Sequence, residues 1–438
     1  MSLVRLALAL LLLLTPSLLE AGEPRPLPAD FTAPALVARS GLDNGFRLPA
    51  DVDFVSVSDR LDLRADDQLG FTYLDPSPYP DALRTGIWRG DASSGRTVFQ
   101  LTQPIDGSVM IEAATVDDSR WAFSTQAFDA STNRLFGFDL TRSPLEVHTL
   151  LERDAPVRGR DSLQIDARGV LAYRFVTDPP ADDWQFGWTS LRRGREVTHL
   201  ATRPFRFGAG VDLSEPPASV GTPTLMPAAI DDPTIWLLGT ATWSTDLGAP
   251  AARVLRIADT GETQVLIENQ TLDPGSPYLG FSRRVVAASS GAATLLATRV
   301  DQQVVLLRID PDGTLTELLD GREPGVGPLF DAARIAVNAA GWAAIIAFEE
   351  NNQNEALFIT DGVRTLRVAG EGDVVATDRG PARICVDGRI TTFFGDLALN
   401  DRGTVAFSAR LCPLPGTDDP GTRVHKLGFG IFTVQPQP

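Results

Sequence analysis

The chain is short of the residues that carry most enzymatic chemistry. Of 438 residues only three are histidine, two cysteine and three methionine. His148, His199 and His425 are scattered with no metal-ligand spacing, which argues against a zinc site. There is no Gly-x-Ser-x-Gly elbow, no phosphate-binding loop and no dinucleotide fingerprint. Positive charge is also in deficit: 39 Lys and Arg face 56 Asp and Glu, a formal net charge of −17. That balance argues against nucleic acid and anionic membrane surfaces as partners, and is compatible with a cationic partner or with calcium. Beyond the first 21 residues no apolar run is long enough to cross a bilayer. What is present in quantity, 43% hydrophobic residues, suffices for a sizeable core.

Residues 1–21 read as a secretory signal. Arg5 supplies a basic start, Leu6–Leu19 an apolar stretch interrupted by Pro16, and Ala21 a small residue where a peptidase can cut. No cysteine follows that stretch, so a lipoprotein route is not expected. The expectation is an exported protein, periplasmic or extracellular. Residues 22–35 are rich in proline and alanine and read as a linker. The remainder, 36–438, reads as one domain.

That domain is a degenerate repeat. Its sharpest copy is Leu397–Leu411, two apolar runs joined by the turn Asn400-Asp-Arg-Gly403. After the turn, Val405, Phe407, Ala409 and Leu411 alternate with Thr404, Ala406, Ser408 and Arg410, as a strand requires. Asn400 and Gly403 tolerate the left-handed backbone of a tight hairpin loop. Related hairpins have turns opening near Asp66, Asp117, Asp166, Asp231, Ala288 and Asn338. The period is roughly 50 to 65 residues. A third run follows each hairpin, as in Val304–Leu307 and Ala356–Ile359, and then a fourth, as in Thr314–Leu319 and Thr365–Ala369.

Four short antiparallel strands at this period imply an all-β fold, a β-propeller of seven four-stranded blades. Blades stack face to face, so inner strands should be apolar on both faces, as Ala343–Phe348 is. A β-sandwich or an extended array is the competing architecture. The seventh repeat ends at Pro438 without a fourth strand, and the orphan segment Leu36–Gly41 resembles the fourth strand of other repeats. An N-terminal strand closing the ring is therefore expected, and closure would remove exposed sheet edges.

The anchor copy spells Asn-x-x-Gly-x-x-Ala-Phe through Asn400, Gly403, Ala406 and Phe407. The sixth copy keeps Asn338, Gly341 and Ala344 with Ile345, and the third has Asp166, Gly169, Ala172 and Tyr173. In this the chain resembles the NxxGxxAF tandem-repeat proteins, exported bacterial proteins with varied C-terminal anchors. The resemblance implies an exported repeat scaffold, no established activity, and structural rather than catalytic roles for the motif residues. No C-terminal anchoring segment is visible here.

Cys385 and Cys412 can pair after export, joining the connection before the last blade to that blade. Such a bridge is worth roughly 3 kcal/mol by loop entropy. The acidic pairs Asp66-Asp67, Asp117-Asp118 and Asp231-Asp232 could suggest paired carboxylates, but they recur at the same turn and read as turn residues. Asp310-Pro-Asp-Gly313 matches part of a calcium loop, yet lacks the spaced acids and terminal glutamate, and reads as a hairpin turn. No cofactor is required. Of seven tryptophans, Trp184 and Trp243 fall in apparent loops, where they could stack on sugars. Two functions stand at this point: a non-enzymatic exported scaffold binding a protein or glycan, and a hydrolase or lyase acting on extracellular polysaccharide.

Overall fold

The computed structural model describes residues 25–40, 45–48, 56–75 and 83–103. Between 104 and 249 it describes the strand segments, and from 250 to 437 all but short gaps, of which 387–391 and 415–426 are the longest. The segment 1–21, read as a signal, lies outside the described residues. Among the described residues there is no helix, and none long and apolar enough to cross a membrane.

The strands form seven antiparallel sheets among the described residues. The first comprises Ser56–Leu63, Leu69–Asp75, Leu83–Gly90 and Gly95–Gln103 in that order. The second begins at Met110–Asp117, the third at Val157–Ile165, and the fourth at the short pieces Ser219–Val220 and Thr224–Leu225. The fifth begins at Tyr278–Ala287, the sixth at Ile335–Val337 and the seventh at Phe393–Leu399. The first six sheets run as up-and-down meanders. Each sheet's leading strand lies beside the leading strand of the next sheet, and that of the seventh lies beside that of the first, so the order closes on itself. The fold is a β-propeller.

Burial follows from this stacking. Val405–Cys412 is buried along its whole length. Val405, Phe407, Ala409 and Leu411 pack toward the sixth sheet with Ala344, Ile346 and Leu357. Ala406, on the opposite face, packs toward the first sheet with Leu69, Phe71 and Trp88. Ala343–Phe348 is likewise buried on both faces, as expected for an inner strand. Fourth strands are half exposed, as in Thr365–Gly370.

Closure comes from the N-terminal strand Ala35–Arg39, which pairs with Phe429–Val434 at the outer side of the seventh sheet. Arg39, only 2% exposed, clamps it through a bidentate contact with Asp378, 2.6 and 2.8 Å. Burial pushes the Asp378 carboxyl up, but the Arg39 hydrogen bonds and charge outweigh it, and the carboxyl sits below its ordinary range. The Cys385–Cys412 disulfide is formed. It joins the end of the hairpin Val374–Thr377/Gly380–Ile384 to the second strand of the seventh sheet.

Of residues 22–35, expected to act as a linker, 25–34 instead pack onto the sixth and seventh repeats. Leu27 and Phe31 join the core. The Leu27 amide donates to Asp361, the Arg25 amide to the Ala340 carbonyl, and the Gln437 amide to the Asp30 carbonyl. Proline spacing looks like a linker, but the same segment carries two large apolar side chains that gain by burial.

Candidate functional site

The repeat turns share one construction. In Asn400–Thr404 the Asn400 amide donates to the Thr404 carbonyl, and the Gly403 amide donates to the Asn400 carbonyl. The same pair of bonds closes Asn338–Trp342, Ala288–Ala292 and Arg64–Gln68. This is a three-residue hairpin loop whose last position is left-handed: Gly291, Gly341 and Gly403 have φ of 85, 81 and 91°. In the first repeat that position is held by Asp67 at φ 66°. The first turn therefore opens at Arg64, two residues before the Asp66 expected from sequence. The acids of this turn match the motif by composition and not by place.

The motif asparagine works in two directions. Asn400 Oδ1 accepts from the Arg402 and Thr404 amides of its own turn, 3.1 and 2.9 Å. Its Nδ2 donates to the Arg64 carbonyl and to Asp67 of the first repeat, 2.7 and 2.8 Å. Asn338 repeats this one blade earlier. Its Oδ1 accepts from the Trp342 amide and its Nδ2 donates to the Asn400 carbonyl, both at 3.0 Å. Asp401 adds a second tie by accepting from the Ala339 amide at 2.7 Å. Each asparagine thus fastens its turn to the turn of the following blade. The rest of the motif fits the same stacking: Ala344 packs in one cluster with Phe407 of the next repeat, small against large. Gly403 is where the Trp342 ring crosses, since a Cβ there would meet Cζ3 at 2.3 Å.

The fifth repeat breaks the pattern. Ala288 stands in the asparagine position and has no side-chain amide to donate. The Asp401 position of the receiving turn is Ala339, which has no carboxylate. Thr294 replaces the motif alanine. Between these two turns lies a cleft of about 440 Å³, lined by Ala288, Thr294, Arg308, Asp310, Asp312 and Trp342 among others. This is within the usual size range of small-molecule sites, ~300–1,000 Å³.

Asp310-Pro-Asp-Gly313 forms one wall. It is a hairpin turn, closed by Gly313 N to Asp310 O and Asp310 N to Thr314 O. Arg308 pairs with Asp310 at 3.0 Å, and the Arg308 Nε is buried without a hydrogen-bond partner among the described residues. The amide and hydroxyl of Thr314 hold the Asp312 carboxyl below its ordinary range. Both carboxylates of the cleft come from a single turn of a single repeat. A second carboxylate pair, Glu355 and Glu371, brackets Thr392: the Thr392 amide donates to Glu355 and its hydroxyl to Glu371. That pair fastens Thr392, inside the loop that the disulfide closes, onto the sixth sheet.

Other sequence candidates fall elsewhere. Trp243 is not in a loop: it ends the strand Trp236–Trp243 and is buried, with the Arg253 guanidinium 5.8 Å from its ring. Trp184 begins the strand Trp184–Leu191. His148 and His199 lie on the fourth strands of the second and third sheets. His425, Asp118, Asp231 and Asp232 lie outside the described residues. No group of three His, Cys, Asp or Glu side chains placed to hold a metal ion occurs among the described residues.

No protein-family model matches the chain, and no curated protein matches it. Among solved structures it is similar to the β-propeller domain of the trilobed protease from Pyrococcus furiosus, at 12% identity and a TM-score of 0.49, covering 84% of this chain and all of that one. It is similar to one of two prolyl endopeptidases, at 12% identity and a TM-score of 0.43, covering 89% of this chain and 55% of that one. A family GH93 α-L-arabinofuranosidase of Fusarium graminearum, solved with arabinobiose, aligns at 8% identity and a TM-score of 0.36, over 93% of this chain and 98% of that one.

Proposed function

We propose that this chain is an exported, seven-bladed propeller that serves as a non-enzymatic scaffold, binding a glycan or a protein at the cell surface or outside. The observation that carries the reading is the use made of its acids and amides. Asp67, Asp378, Asp401 and Asn400 are spent on fastening blades and closing the ring. The two carboxylates facing the cleft, Asp310 and Asp312, are engaged by Arg308 and by Thr314 of their own turn, whereas polysaccharide hydrolysis needs two carboxyl groups free to converge about 5–9.5 Å apart on one bond.

The disulfide supports an oxidising destination. The two-way role of Asn338 and Asn400, the left-handed Gly341 and Gly403, and the packing of Ala406 and Phe407 on opposite faces supply a physical reason for the motif shared with the NxxGxxAF repeat proteins. Under this reading Asn338, Gly341, Asn400, Gly403, Ala406 and Phe407 are structural.

The test has two arms. A tagged full-length chain should be recovered from the exported fraction lacking residues 1–21. Purified mature protein, incubated with polysaccharides, should release no reducing sugar while showing saturable binding to a glycan or an exported protein. Product release would overturn the non-enzymatic reading, and retention in the cytoplasm would overturn export.

A further inference from the structure

We propose that the cleft between the fifth and sixth sheets is the ligand site of the scaffold, and that its ligand is the polyhydroxylated ring of a neutral oligosaccharide. The inference rests on the binding reading above and adds where the ligand sits and what class it belongs to.

The first argument is positional. At the boundary between the sixth and seventh repeats, Asn338 reaches the Asn400 carbonyl and Asp401 reaches the Ala339 amide. At the boundary between the seventh and first, Asn400 reaches the Arg64 carbonyl and Asp67. At the boundary between the fifth and sixth, Ala288 and Ala339 occupy the two corresponding places, and neither side chain can make a tie. The cavity is at that boundary. The ties that hold the neighbouring turns together are replaced at this boundary by an open cleft.

The second argument is chemical. Asp310 is neutralised by Arg308, and Asp312 holds the amide of its own turn. Asp312 is then the one uncompensated charge among the lining residues, too few oxygen ligands for a cation site. The cleft offers carboxylate oxygens and the Thr314 hydroxyl as acceptors, the Ser290 hydroxyl as either partner, and an arginine as donor, beside small apolar surface from Ala288 and the Trp342 ring. A cation needs acceptors alone and an anion needs donors alone. Vicinal hydroxyls on a ring with apolar C–H faces need both, and each hydroxyl can donate and accept.

The test uses the mature protein and two variants. Ala288→Asn installs the missing tie to the Asn338 carbonyl. Ser290→Trp fills the cleft from the turn without touching the motif. Calorimetric titration with cellotetraose, xylotetraose, maltotetraose and mannotetraose, to millimolar concentration, is run beside spermidine and citrate. The expected result is saturable binding of at least one tetraose by the natural chain, weakened at least about tenfold, 1.4 kcal/mol, in both variants. Ala288→Asn should also melt higher than the natural chain. Equal tetraose binding in natural chain and variants overturns the cleft as the site while leaving the scaffold reading intact. Binding of spermidine or citrate but of no tetraose overturns the ligand class. Binding of none of the probes overturns the inference, and capture of an exported protein by the same sample would then show that the scaffold reading survives it.

Discussion

Replacing Asn400 with alanine removes the tie between the seventh and first repeats while sparing the turn itself. The fifth repeat shows why the turn survives: Ala288 stands in the same place, and both backbone bonds of that turn are present at 2.9 Å. Four hydrogen bonds are lost, two from Nδ2 to the first repeat and two onto Oδ1 from the local amides. At about 1 kcal/mol net each, less for the more exposed Arg402 amide, and with the Thr404 amide left buried and unpaired, the cost is about 3–4 kcal/mol. For about 400 residues unfolding together, the unfolding entropy is about 0.8 kcal/mol/K, so the midpoint should fall by about 4–5 °C. Asn400→Asp is the sharper probe. It keeps an acceptor for the local amides but points a carboxylate at the Arg64 carbonyl and at Asp67. It should cost at least as much as alanine at neutral pH and recover in part at acidic pH, where protonation restores a donor. A cycle with Asp67→Ala should show coupling of about 1 kcal/mol. Thermal scans and urea titrations of the natural chain, Asn400→Ala, Asn400→Asp, Asp67→Ala and the Asn400→Ala/Asp67→Ala double variant measure all of this. If Asn400→Ala lies within about 0.5 kcal/mol of the natural chain, or Asn400→Asp matches it at neutral pH, then the asparagine does not fasten the blades.

Further outcomes can be checked on the same samples. Gly403→Ala should cost at least about 3 kcal/mol, because strain at positive φ adds to a collision with Trp342; Gly313→Ala, equally left-handed but with nothing within 4 Å, should cost about 1 kcal/mol in the same urea titration. Opening the disulfide with the Cys385→Ala/Cys412→Ala pair frees a loop spanning 27 positions and should lower stability by about 3.5 kcal/mol, read as a lower denaturant midpoint at a slope no shallower than that of the natural chain. Burial pushes the Asp62 carboxyl up to about 6 against the opposing pull of Arg64 and Arg89, and its Oδ2 has no hydrogen-bond partner among the described residues. The folded state then binds the extra proton between about pH 4 and 6, so this group penalises stability increasingly as pH rises through that window. Asp62→Asn should gain about 1–3 kcal/mol at pH 7 and nothing at pH 4, and a gain that is independent of pH would refute the assignment.

Much of the architecture could be read before any coordinates. The period, the four runs per repeat, the doubly apolar inner strands and the orphan segment near Leu36 are local patterns, and hairpin turns and strand alternation act within a few residues. The Cys385–Cys412 pairing also followed from there being two cysteines in a chain read as exported. Tertiary structure decided the rest. The first turn opens at Arg64 because hydrogen bonding, not acidic composition, sets its register, and Asp67 supplies the left-handed residue where other copies use glycine. Residues 25–34 are packed because Leu27 and Phe31 find a core built more than 300 positions away. Trp243 is buried because its strand runs further than the turn residues around it suggested. The outward reach of Asn338 and Asn400 joins residues 62 and 336 positions apart. A repeat motif records that a position is kept for its own turn. What that side chain touches on the neighbouring blade, and the cleft that opens where Ala288 lacks it, exist only once two repeats are stacked.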